Sequence, residues 1–165
     1  MKAARLARHL FATRLATRRH FTPQVCDAIE AAIREVESRH AGEIRFAIET
    51  ALDLPDAWRD LPPRRRAVQL FGQLGVWDTA QNNGVLIYVL MADRVVEIVA
   101  DRGISAAVAQ SEWDEVCRQM QLHYRERRFS EGSIAGIHGV GRLIARHFPK
   151  SVAGMDELPN QPLLL

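Results

Sequence analysis

Between residues 43 and 49 apolar and polar side chains alternate without a break. Ile44, Phe46 and Ile48 point one way, and Glu43, Arg45, Ala47 and Glu49 the other. A period of two predicts a strand, here with one greasy face. Upstream the period changes. Val25, Ala28, Ile29, Ala32, Ile33 and Val36 recur at three and four residues, predicting a helix from Pro23 to about Arg39. Thr22 is placed to cap it, Pro23 suits its first turn and Gly42 its end. A second helix is expected from Pro63 to about Val76, burying Ala67, Val68, Leu70, Phe71 and Leu74. Arg64, Arg65 and Arg66 stand in its first turn, against the helix dipole, and read as solvated.

Two apolar runs come next, Gly84 to Met91 and Val95 to Ala100, with Ala92-Asp93 between them. They read as a hairpin. The first run is apolar on both faces, which predicts a central strand covered on each side. Pairing Met91 with Arg94 sets Tyr88 opposite Glu97, Gly84 opposite Asp101 and Asn83 opposite Arg102. Ser111 with Asp114 reads as a capping box for a helix to about Arg128. Its inner face is Trp113, Val116, Cys117, Met120 and Tyr124, so Cys117 reads as a core thiol. A last helix, from about Glu131 to His147, carries Gly136, Gly139 and Gly141, which cost helix propensity and point to close backbone packing. Pro149 stops it. The order helix, strand, helix, hairpin, helix, helix predicts an α/β fold, a three-layer α/β/α sandwich around one mixed sheet. Residues 22–149 form the domain, 1–21 an arm and 150–165 a tail.

Composition narrows the class. With 165 residues, 47% of them hydrophobic and 25% charged, the chain makes one domain with a sizeable core. Disordered, collagen-like and disulfide-framework chains are excluded. The longest strictly apolar run, Val85 to Ala92, is far too short to span a bilayer, so a transmembrane protein is not expected. The start has no continuous apolar stretch of the secretory kind. Cys26 and Cys117 form no C-x-x-C, and a reducing, cytoplasmic location is expected.

The net charge of +2 hides a segregation. Residues 1–20 hold Lys2, Arg5, Arg8, Arg14, Arg18 and Arg19 and no acid, so the rest of the chain carries a net −4. A basic arm on an acidic body points to an anionic membrane surface or a protein partner. Nucleic acid is not expected, because no recognition motif or basic–aromatic interleaving accompanies the charge. On a helical wheel Ala3, Leu6, Ala7, Leu10 and Phe11 share an arc opposite Arg5 and Arg8; past Phe11, Arg14 and Arg18 break it. Because the periodic faces all lie after Thr22, the core is expected to fold without residues 1–20.

The usual catalytic signatures are missing. There is no phosphate-cradling G-x-x-x-x-G-K-[ST], no G-x-G-x-x-G, no G-x-S-x-G and no H-E-x-x-H. The six histidines have no metal-ligand spacing. Neither cysteine has an arginine six residues on, and Asp93-Arg94-Val95 is not D-x-D. There remains a polar cluster where the hairpin register brings Asp78 to Gly84 beside Asp101 to Gly103. Asp78, Asn82, Asn83 and Asp101 carry the oxygens a hard cation such as Ca2+ or Mg2+ takes. Arg102 is suited to a phosphate or carboxylate, and Gly84 to a close backbone approach. The same residues also read as a plain turn, with Asp101 capping the next segment.

Four segments in order carry a resemblance: H-A-G-E-I-R-F-A-I-E (40–49), W-D-x-x-x-N-N-G-V-L-I-Y-V (77–89), A-D-R-V-V-E-I-V-A-D-R-G-I (92–104) and F-x-x-G-x-x-x-G-I (129–137). Together they resemble the TPM domain family, which includes thylakoid-lumen acid-phosphatase-like and photosystem II repair proteins and many bacterial ones. The resemblance spans roughly residues 22–149. It implies an α/β/α sandwich and, as in some members, a divalent-cation site and acid phosphatase activity. The family's D-N-G corresponds to Asn82-Asn83-Gly84, an amide replacing the acid. Its G-Y-G corresponds to Asp101-Arg102-Gly103, which brings an acid to the neighbouring segment. The expectation is a TPM-like binding module with a weak cation site at the hairpin end. The alternative is a weak metal-assisted acid phosphatase.

Overall fold

The computed structural model describes residues 2–150 and 157–165. Its centre is a four-stranded mixed sheet: β1 (Glu43–Glu49), β2 (Gly84–Leu90), β3 (Val95–Ala100) and β4 (Leu163–Leu164), in the order β3-β2-β1-β4. β1 runs parallel to β2 and to β4, and β2 pairs antiparallel with β3. Tyr88 lies opposite Glu97, as the expected register requires, and the Asp101 amide donates to the Gly84 carbonyl at 2.9 Å. The turn closes on Met91 to Arg94, with Arg94 at positive φ.

Odd-numbered residues of β2 and even-numbered residues of β1 meet α3 (Pro23–Glu37), α7 (Gln110–Arg125) and α8 (Phe129–His147) in one core. The opposite face meets α4 (Leu54–Trp58) and α5 (Pro63–Gln73). This is the three-layer α/β/α sandwich that the element order implies. The glycines of α8 let its backbone close on its neighbours. A Cβ at Gly136 would lie 2.2 Å from Met120 Sδ, and one at Gly141 2.7 Å from Val36 Cβ. Cys117 packs against this core, and burial pushes its thiol up to about 12, away from the thiolate.

Two expectations are corrected, and two segments with no expected place acquire one. First, the polar face of β1 is not solvated, because α5 and the segment around Leu158 cover it. Glu49 accepts a forked pair of bonds from Arg66 and another from the Tyr88 hydroxyl, and Glu43 accepts from the Leu158 amide. Arg66 is therefore a half-buried partner rather than a solvated helix-start residue, and Arg64 turns onto the Ile98 carbonyl. Second, Ser111 does not cap α7. The cap position is Ala109 with no side-chain bond, and Asp114 accepts from Gln110 one turn earlier. The buried Val108 anchors the connection, so the helix starts at once after it.

Third, the end of the tail joins the sheet, with Leu163 and Leu164 paired to Ala47 and Ile48; residues 151–156 lie outside the described ones. Fourth, the N-terminal arm is docked. It forms α1 (Lys2–Phe11) and α2 (Arg14–His20), separated by the Thr13 cap. Arg5 grips Asp93 of the hairpin turn, Asp60 and the Leu61 carbonyl. The Leu52 amide donates to His9 Nδ1, which leaves the proton on Nε2 to bond Asp93 at 3.2 Å. The Thr50 hydroxyl donates to Thr17, and Phe21 enters the core. A short α6 (Arg102–Ser105) comes after β3. Among the described residues no helix is long and apolar enough to cross a membrane.

Candidate functional site

The polar cluster expected at the open end of the hairpin forms where β2 begins and β3 ends. The connection from α5 makes a turn, with the Asn82 amide donating to Thr79 and Asn82 itself at positive φ. It then enters β2 through Asn83, which is fully buried. The Asn83 amide donates to Thr79 Oγ1 at 3.1 Å, and its Nδ2 donates to the Ala41 carbonyl at 2.9 Å, tying this loop to the start of β1. From the other side β3 delivers Asp101, 6% exposed, to the head of α6. Its Oδ1 accepts from the Arg102 amide at 2.7 Å. The Gly103 amide donates to the Asn82 carbonyl, and a Cβ there would lie 2.5 Å from that oxygen and 3.0 Å from the Gln81 carbonyl. Two main-chain oxygens thus crowd the segment that Asp101 opens.

Two buried oxygens here have no hydrogen-bond partner among the described residues: Asp101 Oδ2 and Asn83 Oδ1. Leaving a buried carboxylate oxygen unpaired is costly, so its retention calls for a reason. All donors are hard oxygens, which suits a divalent cation of the calcium or magnesium type. Arg102 is exposed and makes no described ion pair, leaving its guanidinium available to an anion.

The other expected residues divide. Asp78 and Asn82 are exposed on the loop, and no described bond carries the Asp78 carboxylate to Asp101. The space beside Gly84 is taken, since a Cβ there would lie 2.0 Å from the Val76 carbonyl; its missing side chain serves loop packing. No group of three or more His, Cys, Asp or Glu side chains that could hold a metal occurs among the described residues. Sequence reasoning passed over Thr79 and His40. Thr79 fixes Asn83. His40 is buried next to the loop, with neither ring nitrogen hydrogen-bonded among the described residues, and desolvation pushes its imidazole down to about 4. The H-A-G run of the first resembling segment was the available signal.

Comparison with known proteins places the fold in a family. The TPM domain model matches residues 17–143. The solved BA42 protein of the psychrophilic bacterium Bizionia argentinensis is 34% identical over 87% of this chain and 94% of its own, with a TM-score of 0.73. The N-terminal domain of a P. gingivalis protein shares the fold at 20% identity, over 74% of this chain and 76% of its own, with a TM-score of 0.57. An N-terminal domain of a Corynebacterium glutamicum protein does so at 14%, over 81% and 77%, with a TM-score of 0.55. No curated protein matches. Helix α1 and the first half of α2 lie outside the matched span, while α3 to α7, most of α8 and the hairpin with its polar loop ends fall within it. On the family match and the identity to BA42, the chain belongs to the TPM domain family.

Proposed function

We propose that this protein is a TPM-type binding module that holds one divalent cation weakly at the hairpin end. Asp101 is the dominant ligand, main-chain oxygens of the Gln81–Asn82 turn and Asn83 assist, and Arg102 meets an anionic group of the partner. The observation that supports this is the buried Asp101 carboxylate, with one oxygen spent on the Arg102 amide and the other unpaired. A single carboxylate places the affinity at the weak end, with dissociation constants of about 0.1–1 mM. Among the described residues no nucleophile or base bonds to Asp101, so binding is favoured over phosphate-ester hydrolysis. The arm supplies a second contact to an anionic partner. Arg5 and Arg8 are spent on Asp93, and that contact falls to Arg14, Arg18 and Arg19.

The test is a calcium titration followed by thermal unfolding, on the wild type and on Asp101→Asn. A ligand that binds only the folded state raises stability by RT ln(1 + [L]/Kd), about 1.4 kcal/mol at ten times Kd. For a domain of this size that is about 3–6 °C. The wild type should gain this and the variant should not. Equal responses, or none at millimolar calcium, leave a capped turn and remove the cation site. Metal-dependent turnover of a phosphate ester, lost in Asp101→Asn, would shift the reading to the hydrolase.

A further inference from the structure

Helix α1 is docked by its charged side. Arg5 and His9 face the sheet, where Asp93 and Asp60 receive them. At about 100° per residue the opposite side of the helix is Ala3, Ala7, Leu10 and Phe11. Leu10 and Phe11 are exposed, Phe11 at 82%. In an ordinary surface helix the apolar arc turns inward; here only Leu6, at its edge, packs on the core, Arg5 and His9 hold the helix down, and Leu10 and Phe11 are left outside.

That arc is continued by neighbours. α1 packs against α4, whose Leu54 and Trp58, four residues apart and so on one side, are also exposed, Trp58 at 74%. The break in the wheel past Phe11 disappears, because the chain turns at Thr13 and starts a new helix. On α2, Thr17 faces Thr50, so the outward side is Leu15 flanked by Arg14, Arg18 and Arg19. These three arginines are exposed and make no ion pair among the described residues. Asp60 and Asp93, which meet α1, are both already engaged by Arg5, and Asp53 and Asp56 of the α4 start stand against three unpaired arginines.

We propose that this face, Leu10, Phe11, Leu15, Leu54 and Trp58 with Arg14, Arg18 and Arg19, docks the protein on the surface of an anionic lipid bilayer. Aliphatic and aromatic tips with arginines beside them match a boundary where phosphates overlie hydrocarbon. A second copy of the chain is a poorer occupant, because a two-fold contact would bring two sets of three unpaired arginines into one interface. The proposal deepens the partner half of the functional reading and does not depend on the cation site.

Flotation with vesicles tests it, in EDTA so that the hairpin end is silent. Vesicles of phosphatidylcholine with about 30% phosphatidylglycerol should carry the wild type, and pure phosphatidylcholine should carry far less. Replacing Arg14, Arg18 and Arg19 together by Gln should lower partitioning about 100-fold, at about fivefold per arginine. Phe11→Asp should abolish it with an unchanged thermal midpoint, since Phe11 is exposed. The proposal is overturned if anionic vesicles carry no protein, or if Phe11→Asp partitions like the wild type. It is equally overturned if the protein is a dimer that Phe11→Asp splits, which would make a second copy the occupant. A missing calcium response leaves all these outcomes as they are.

Discussion

Asp93→Asn probes the docking of the arm, the feature that departs furthest from the sequence pattern. The Asp93 side chain is almost fully buried and takes two nitrogens of Arg5, His9 Nε2 and a long contact from Arg8. Breaking a buried, hydrogen-bonded charge pair costs about 3–5 kcal/mol. Arg5 keeps Asp60 and the Leu61 carbonyl, so the lower end applies, about 3 kcal/mol. The loss is capped by the docking energy of α1 and α2, since beyond that the arm releases while the sandwich stays folded. Tryptic cleavage after Arg14, Arg18 and Arg19 reads the released population. It should accelerate about 100-fold in Asp93→Asn, the equivalent of about 3 kcal/mol. Acid gives a second check with a definite sign. Burial alone would raise the Asp93 carboxyl, but the Arg5 guanidinium, with His9, outweighs it and holds the group below its ordinary value. Its contribution is therefore complete above the unfolded pKa and is lost as pH falls below about 4. The gap in thermal midpoint between wild type and Asp93→Asn should close over that range. Cleavage unchanged within about twofold, with equal thermal midpoints at neutral pH, would refute a docking held by this pair.

Other consequences concern the interior. Arg66→Met strands the buried Glu49 carboxylate and should cost about 3–5 kcal/mol in urea unfolding, whereas Tyr88→Phe, removing one bond to it, should cost about 1.5–3 kcal/mol. Gly84→Ala should cost about 3 kcal/mol or more, because its Cβ meets the Val76 carbonyl, which is backbone and cannot swing aside. His40 is held neutral by burial, with a folded pKa of about 4. Its contribution is present above pH 6.5 and is lost as pH falls from there to 4, on the order of 3 kcal/mol; His40→Phe should flatten that part of the stability profile.

The parts legible in the sequence are those that local pattern decides. The alternation in 43–49 marks β1 to the residue, and the Ala92-Asp93 link places Tyr88 opposite Glu97. The paired runs also bring Asp101 beside Gly84, which locates the candidate site. The hidden parts depend on contacts distant in the chain. Glu49 reads as a solvated residue until α5 folds Arg66 over it. Leu163 and Leu164 make a two-residue strand only because β1 has a free edge, and nothing near them announces a parallel partner. The arm misleads most. Its charged and apolar sides show on a helical wheel, but Asp93, 88 residues from Arg5, decides which of them is docked. Within the site, the exposure of Asp78 and the filled space at Gly84 come from how the loop packs, which residue type alone does not encode.

The cation site is tested most directly by following backbone amide resonances of the labelled protein during a calcium titration, with Asp101→Asn in parallel. Saturable shifts are expected, with a midpoint of about 0.1–1 mM, centred on Gln81 to Asn83 and Asp101 to Gly103 and absent from the variant. Amides that stay still in those two segments, or that move alike in both proteins, would contradict a cation held by Asp101.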